Sequence, residues 1–278
     1  MTIRTVSLIL VDTDRPQESA ACLYALKLAE MTKAHLAVCI GVPPLFIAGA
    51  TPFAEIGVWV EQENSERRRA AKAACEQILA AAALRGVTAS SQINADAYDP
   101  IFPHLVQFAR VSDLSVVQVP DDHKTLQHDL IIELMMTSGV PTIVVPRSWK
   151  TTGAIKKAVV AWDGTAPAAR AVRDAMPLLE QADVVEIVSV HGEKDLPNQV
   201  AGTEIAKHLA RHCKQVQTSD LPVQDKNVAA TLRQHAHLGR ADLIVMGGYG
   251  HSRFREFVMG GVTRDMLKHV EIPTLLSH

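Results

Sequence analysis

Short apolar runs alternate with longer segments of helical periodicity along the whole 278-residue chain. Apolar runs of four to eight residues predict buried strands, and apolar positions three or four apart predict helices. The pattern predicts strands at 4–11, 35–40, 87–93, 114–119, 141–145, 157–162, 184–190, 215–219, 242–246 and 273–276. It predicts helices at 16–33, 62–85, 100–110, 125–137, 166–181, 199–213, 226–238 and 262–269. Strands that are apolar throughout and separated by helices are typical of parallel sheets covered on both faces.

This strand and helix pattern occurs twice in the chain. An apolar run ending at Asp12 opens the first half, and a similar run ending at Asp163 opens the second. Because crossovers between parallel strands are right-handed, each half is predicted to form a doubly wound sheet. We therefore predict an α/β fold of two tandem, Rossmann-like, five-stranded parallel sheets. The predicted domains are 1–148 and 155–278, joined by a polar linker.

The first half contains about twenty residues with no counterpart in the second, Val42 to Glu61, rich in proline, glycine and aromatic residues. The simplest interpretation is an ordered surface loop that closes one edge of the core. The alternative is a lid, or a contact with the other half or with a second subunit. The sequence leaves both open.

The second half ends in a glycine pattern that the first half lacks. Gly247-Gly-Tyr-Gly250 follows the fourth predicted strand, and Gly260-Gly261 opens the last predicted helix. Glycine lets the backbone approach a ligand closely, and the amides at a helix start favour anions. In a doubly wound sheet, ligands lie where the strand order reverses, here between the strand ends at Asp163 and Gly247. The pattern predicts a cradle for nucleotide phosphates.

The spacing Gly247-x2-Gly250-x9-Gly260, followed by Gly261-Val-Thr263, resembles the ATP-binding signature of the universal stress protein family. The resemblance covers the chain as two tandem copies. It implies an adenine-nucleotide alpha-hydrolase-like fold and a cytoplasmic, stress-linked protein that binds an adenine nucleotide, often as a dimer. The matching positions are Asp163, Met246, Gly247, Gly250, Gly260, Val262 and Thr263. Gly261 departs from the family pattern, which usually has serine or threonine there, so a hydroxyl contact to the terminal phosphate is lost.

The complete set of predicted nucleotide-binding residues is Ala161, Trp162, Asp163, Met246, Gly247, Gly250, His251, Arg253, Gly260, Gly261, Val262 and Thr263. His251 and Arg253 could add cationic contacts or could be solvated loop residues. Asp163 could instead cap the following helix, since aspartate is a favoured N-cap. Thr263 could be an ordinary residue of the first helical turn. No catalytic residue and no metal ligand is predicted.

The first half is predicted to bind no nucleotide at the equivalent place. After Val117 the chain continues through Gln118 to Pro120, Asp121 and Asp122, with no glycine until Gly139. A proline removes one amide donor, and paired aspartates repel a polyphosphate.

Composition excludes several classes of partner. A net charge of −2 and an aromatic content of 4% argue against nucleic acid and anionic membranes. The four scattered cysteines are typical of a reducing compartment, and a cytoplasmic protein is expected. His208 and His212 share a helical spacing beside Cys213, but no spacing matches a closed zinc site.

We weigh four functions. The favoured one is a stress-response regulatory module that binds ATP, ADP or AMP, with Mg²⁺ left open. A slow ATPase is the second, although the chain has no G-x-x-x-x-G-K-[ST] loop. A nucleotidyl transferase would need an H-x-G-H motif, which is absent, and a lipid or zinc binder would use the apolar loop of the first half. The favoured assembly is an internal pairing of the two halves as a pseudo-dimer, with homodimer formation left open.

Overall fold

The computed structural model describes residues 2–11, 15–45, 54–95, 101–119, 126–150, 154–192, 202–248 and 261–278. The strands are β1 (Thr5–Val11), β2 (His35–Gly41), β3 (Ala89–Asn94), β4 (Leu114–Gln118), β5 (Thr142–Val145), β6 (Lys157–Ala161), β7 (Val184–His191), β8 (Val216–Pro222), β9 (Leu243–Gly247) and β10 (Thr274–Ser277). The helices are α1 (Ala20–Thr32), α2 (Ala54–Leu84), α3 (Ile101–Ala109), α4 (Leu126–Thr137), α5 (Ala166–Leu179), α6 (Gly202–Leu209), α7 (Val228–Leu238) and α8 (Gly261–Lys268).

The described strands form one continuous sheet in the order β3-β2-β1-β4-β5-β10-β9-β6-β7-β8. Within each half the strands are parallel and follow the same order, which confirms the predicted doubly wound α/β fold. The halves were expected as two sheets, but β5 and β10 pair antiparallel and merge them, with Leu275 opposite Ile143. Both closing strands are buried along their whole length, and pairing satisfies main-chain groups that would otherwise form two unprotected edges.

Four of the described helices cover each face of the sheet, two from each half. Buried residues of α1, α2, α5 and α6 form one apolar core with the strands. Those of α3, α4, α7 and α8 form the other core on the opposite face. The arrangement is a three-layer α/β/α structure, as expected for parallel strands that are apolar on both sides. None of the described helices is both long and apolar enough to cross a membrane.

The largest difference from the predicted elements is at the start of α2, which begins eight residues before the predicted 62. Its first two turns carry Ile56, Val58 and Trp59, which are all exposed. Because apolar and polar residues do not recur there at helical spacing, this segment has no periodic signal that predicts a helix. Part of the predicted 42–61 loop is therefore helix, and residues 46–53 of that loop lie outside the described residues.

The chain just before this gap is fixed to α2 by a buried asparagine. Asn64 accepts a hydrogen bond from the Leu45 amide at 2.7 Å and donates one to the Leu45 carbonyl at 3.2 Å. The Arg67 guanidinium donates to the Pro43 carbonyl at 2.7 Å. These bonds fix residues 43–45 against α2.

All four cysteines are buried thiols and none forms a disulfide. Burial raises the pKa of Cys22 and of Cys39 to about 12, because a thiolate is poorly solvated in an apolar core. Both side chains therefore act as small apolar core residues, as the sequence predicts.

Candidate functional site

The crevice predicted from the sequence lies between β6 and β9, which are neighbours in the sheet. Ala161, the last residue of β6, is directly opposite Met246 of β9. From these two strand ends the chain turns in opposite directions, through α5 to β7 and through α8 to β10. A doubly wound sheet opens a crevice where neighbouring crossovers diverge, and this is the place where such folds hold ligands.

Gly247 ends β9 and allows the start of α5 to approach the sheet. A Cβ atom at this position would lie 2.6 Å from the Ala168 nitrogen and 2.6 Å from the carbonyl carbon of Pro167. No side chain fits at that distance from a backbone, so only glycine is compatible with this packing. Gly247 therefore brings the amino-terminal turn of α5 to the edge of the crevice.

Asp163 organises the start of α5 without being its cap. The N-cap is Thr165, whose Oγ1 accepts a hydrogen bond from the Ala168 amide at 3.4 Å. The Asp163 carboxylate accepts from the Thr165 amide at 3.0 Å and from the Thr165 hydroxyl at 2.6 Å. The interpretation of Asp163 as the helix cap is thus wrong: the exposed carboxylate holds the residue that caps. Gly164, with φ of +74°, allows the turn between them.

Trp162 and Met246 contribute backbone to the crevice, while their side chains belong to the two cores. Trp162 is 7% exposed and packs into the core that contains α5, and its amide donates to the Val188 carbonyl at 2.9 Å. Met246 is 4% exposed and packs into the core on the opposite face. Any contact of these two residues with a ligand therefore involves main-chain atoms.

Helix α8 begins at Gly261, one residue before the predicted start at 262. No atom of the described residues lies within 4 Å of a Cβ placed at Gly261. Val262 is half-buried, whereas Thr263 is buried together with Met266 and Leu267 on the core-facing side of the helix. This burial favours the interpretation of Thr263 as a first-turn packing residue. The group that α8 presents outward at its start is the main chain of Gly261.

Asp265 fixes the orientation of α8, a role that was not predicted from the sequence. It accepts hydrogen bonds from Asn227 at 3.1 Å and from Arg233 at 3.2 Å, both next to or on α7. Partial burial raises the pKa of Asp265, but the Asn227 hydrogen bond and the Arg233 charge outweigh it and hold the pKa below the ordinary value. A hydrogen-bonded ion pair between two helices thus orients the amino terminus that faces the crevice.

Gly248 leaves the sheet at the junction with the first half. Its amide donates to the Ser277 carbonyl at 2.7 Å, and its carbonyl lies 3.1 Å from His278 Nδ1. A Cβ on Gly248 would lie 3.0 Å from Met135 Sδ in α4. The glycine turn therefore starts in contact with an element of the first half. Four predicted site residues lie outside the described residues, namely Gly250, His251, Arg253 and Gly260.

The equivalent position in the first half carries a large polar side chain. Val117 is opposite Ile9 as Met246 is opposite Ala161, so Gln118 corresponds to Gly247. Gln118 is 8% exposed, and its Oε1 accepts a hydrogen bond from the Ala21 amide at the start of α1 at 3.4 Å. In the first half a glutamine side chain thus links the strand end to the helix, whereas in the second half Gly247 packs directly against the backbone of α5. Asp12 and Pro120 to Asp122 lie outside the described residues.

The strongest cluster of charges in the second half lies at the opposite end of β6. Glu186 is 4% exposed and lies 2.7 Å from Lys157 Nζ, 2.6 Å from Ser219 Oγ and 2.8 Å from His235 Nε2. Burial raises its pKa, but these three donors outweigh burial and lower the pKa to about 2. Because Lys157 begins β6, this network is remote from the crevice and stabilises the amino ends of the strands. Among the described residues, no group of three or more His, Cys, Asp or Glu could hold a metal ion.

The comparisons with known proteins agree with this architecture. Residues 154–278 match the model of the Universal stress protein family. The Universal stress protein Slr1230 of Synechocystis sp. is 28% identical over 136 residues, which cover 49% of this chain and 46% of that protein. The chain thus matches about half the length of this curated relative.

Two solved structures resemble the whole chain. The structure of a universal stress protein from Archaeoglobus fulgidus has a TM-score of 0.69 at 11% identity, covering 98% of this chain and 97% of that one. A functionally unknown protein, PA1789 from Pseudomonas aeruginosa PAO1, has a TM-score of 0.56 at 14% identity, covering 99% and 92%. At such identities the likeness shows the fold.

Proposed function

We propose that residues 154–278, which match the model of the Universal stress protein family, bind ATP or another adenine nucleotide. In this proposal the bound nucleotide makes the protein a regulatory module of the stress response. The observation that carries the proposal is the β6–β9 switch point. There Ala161 lies opposite Met246, and two helices begin beside the same crevice.

The base and ribose are proposed to lie at the end of β6, near Asp163, and the phosphates to extend toward α8. The start of α8 at Gly261, where a Cβ would meet no described atom within 4 Å, and the positive end of the α8 dipole favour an anion there. Gly250 and Gly260 would let the main chain approach the phosphates, with His251 and Arg253 as additional cations. Mg²⁺ would accompany a triphosphate.

The described side chains support nucleotide binding without efficient ATP hydrolysis. The Asp163 carboxylate is already engaged by the amide and hydroxyl of Thr165, so it is poorly placed to act as a general base. No lysine follows the glycines as in a P-loop. We therefore propose nucleotide-dependent signalling, with slow ATP hydrolysis as the alternative, to be judged by phosphate release above background.

The first half, residues 1–148, is proposed to support the second half, residues 155–278, without binding nucleotide itself. Gln118 places a large polar side chain where the second half has Gly247, and Met135 lies beside the start of the glycine turn. The β5–β10 pairing supports an internal pseudo-dimer of the two halves. The buried, unpaired cysteines support a cytoplasmic location.

The first experiment is to denature the purified full-length protein and compare the released small molecules with nucleotide standards. Isothermal titration with ATP, ADP and AMP then measures affinity and stoichiometry, and one nucleotide per chain is expected. Gly261→Glu places a carboxylate at the open start of α8 and should lower ATP affinity at least tenfold, whereas Gly261→Ala should bind as wild type. No measurable binding of any nucleotide, or unchanged binding by Gly261→Glu, would refute the site. Two nucleotides per chain would refute the asymmetry of the halves.

A further inference from the structure

A crevice of about 370 Å³ lies between the two halves, beside the carboxyl end of β10. One wall is formed by the amino ends of first-half strands, at residues 2–3, 112–113 and 139–141. The other wall is formed by one side of α5 and by Ser277 and His278. The crevice follows from the antiparallel β5–β10 pairing, because that pairing sets the amino edge of one half beside the carboxyl edge of the other.

Two arginines of α5 line this crevice. Arg170 and Arg173 are three residues apart, so both side chains lie on the same side of the helix. Arg170 Nη1 donates to the His278 carbonyl, and Arg173 Nε lies 3.3 Å from Asp174 Oδ1. The remaining guanidinium nitrogens of both arginines have no partner among the described residues. The crevice wall thus carries several unused charged donors.

The carboxylates of the crevice already have donors. Asp174 Oδ2 accepts from the Ser277 hydroxyl at 2.6 Å, and Asp174 Oδ1 faces Arg173. Asp113 Oδ2, on the opposite wall, accepts from the amides of Arg4 at 2.7 Å and Thr5 at 2.9 Å. The hydrogen-bonding groups of the crevice that lack a partner in the described part of the chain are therefore mainly donors. A ligand that binds there should carry hydrogen-bond acceptors and a negative charge on the side that faces α5.

We propose that this crevice binds a small oxyanion, a carboxylate or a phosphate, between Arg170 and Arg173. A guanidinium presents two parallel N–H donors that match the oxygens of such a group. Ligand sites favour the boundary between packed units, and 370 Å³ is within the size range of small-molecule sites. This site is separate from the proposed nucleotide site, although Ser277 lies in the crevice and also binds Gly248.

The test is calorimetric titration of the full-length protein with inorganic phosphate, pyrophosphate and citrate, at low ionic strength. Saturable binding of at least one of them is expected. Citrate alone would identify a carboxylate ligand, and phosphate or pyrophosphate alone a phosphate ligand. The variant Arg170→Gln/Arg173→Gln should lose at least tenfold in affinity. Arg69→Gln/Arg211→Gln has the same change of net charge at exposed positions outside the crevice and should bind as wild type.

Arg173→Gln alone guards against a folding defect, because the Arg173 side chain is 71% exposed and its removal leaves the α5 packing intact. It should weaken binding severalfold while the circular dichroism spectrum stays unchanged. Gly261→Glu separates the two sites, since it blocks the proposed nucleotide cradle and should leave most anion binding in place. The inference is overturned if none of the three anions binds, if the arginine variants bind as wild type, or if Gly261→Glu alone abolishes binding.

Discussion

Gly247→Ala is expected to destabilise the protein strongly, although it adds one methyl group. The new Cβ would lie 2.6 Å from two backbone atoms of α5, whereas ordinary contacts to a Cβ begin at 3.4 Å. The first turn of α5 would therefore have to move by about 0.8 Å. This turn is held by Thr165 and Asp163 and is continuous with a tightly packed core helix, so a shift of that size is costly.

Overpacking a tightly packed core costs about 1–3 kcal/mol, and the upper end applies here because backbone must move and no side chain can rotate away. A loss of about 3 kcal/mol lowers the melting temperature of a domain of this size by about 6–12 °C. Urea unfolding followed by circular dichroism measures the free energy, and a thermal scan checks the shift. The displaced α5 should also weaken ATP binding.

Gly261→Ala is the matched control, because the same methyl group meets no atom within 4 Å. Alanine in place of a helical glycine should stabilise α8 by about 0.5–1 kcal/mol. A Gly247→Ala protein as stable as wild type would refute the packing explanation of this glycine. Equal losses in both variants would indicate a general intolerance of side chains around the site and would refute it as well.

Three other substitutions test separate parts of the structure. Glu186→Gln should lower the free energy of unfolding by about 3 kcal/mol at pH 7, because the folded-state pKa of about 2 is far below the ordinary 4.5. The lowered pKa of Glu186 stabilises the wild type above pH 4.5, so the difference in free energy of unfolding between the two proteins should decrease as the pH falls toward 2. A difference that stays constant in urea titrations across this range would contradict the role of the ionised Glu186 carboxylate. Gly261→Ser restores the hydroxyl of the family pattern in open space, and calorimetry should show about fivefold tighter ATP binding with ADP unchanged. Equal gains for both nucleotides would exclude a contact to the terminal phosphate. Gln118→Ala should lower the free energy of unfolding in urea by about 1–2 kcal/mol, since it leaves the Ala21 amide unsatisfied, and nucleotide stoichiometry should stay at one per chain. Undiminished stability would contradict the role of Gln118 as the hydrogen-bond acceptor for the start of α1.

The order and type of the elements were predictable from the sequence because the inner strands are short, mainly apolar runs between helices, and only the edge strands β3 and β8 are largely polar. The prediction failed where apolar residues lack periodicity, as at Ile56 to Trp59 in the early turns of α2. The merging of the two sheets was also not predictable. Apolarity shows that Thr142–Val145 and Thr274–Ser277 are buried, but it does not say which strand lies beside them.

At the candidate site, the strand end predicted at 246 lies one residue later, at Gly247, and the helix start predicted at 262 lies one residue earlier, at Gly261. The alternative in which Asp163 caps α5 is wrong, because Asp163 and Thr165 are both favoured N-cap residues and only the backbone decides between them. The contacts of Asp265 and Gln118 were not predictable, since both depend on residues far away in the sequence. Long-range hydrogen bonds of this kind have no local signature.

Joining the halves in one polypeptide also changes how their association responds to dilution. Strands β5 and β10 pair through three residue pairs, and strand pairing of that length would hold two separate molecules together only weakly. A short tether instead gives each half an effective concentration of its neighbour of about a millimolar, whatever the amount of protein in the cell. The two subunits of a homodimer must also have identical pockets, whereas two halves of one polypeptide can differ in sequence and therefore in their pockets. In a covalently tethered pair, one half can carry Gln118 where the other has Gly247, as the proposed division into a scaffold and a binding half requires.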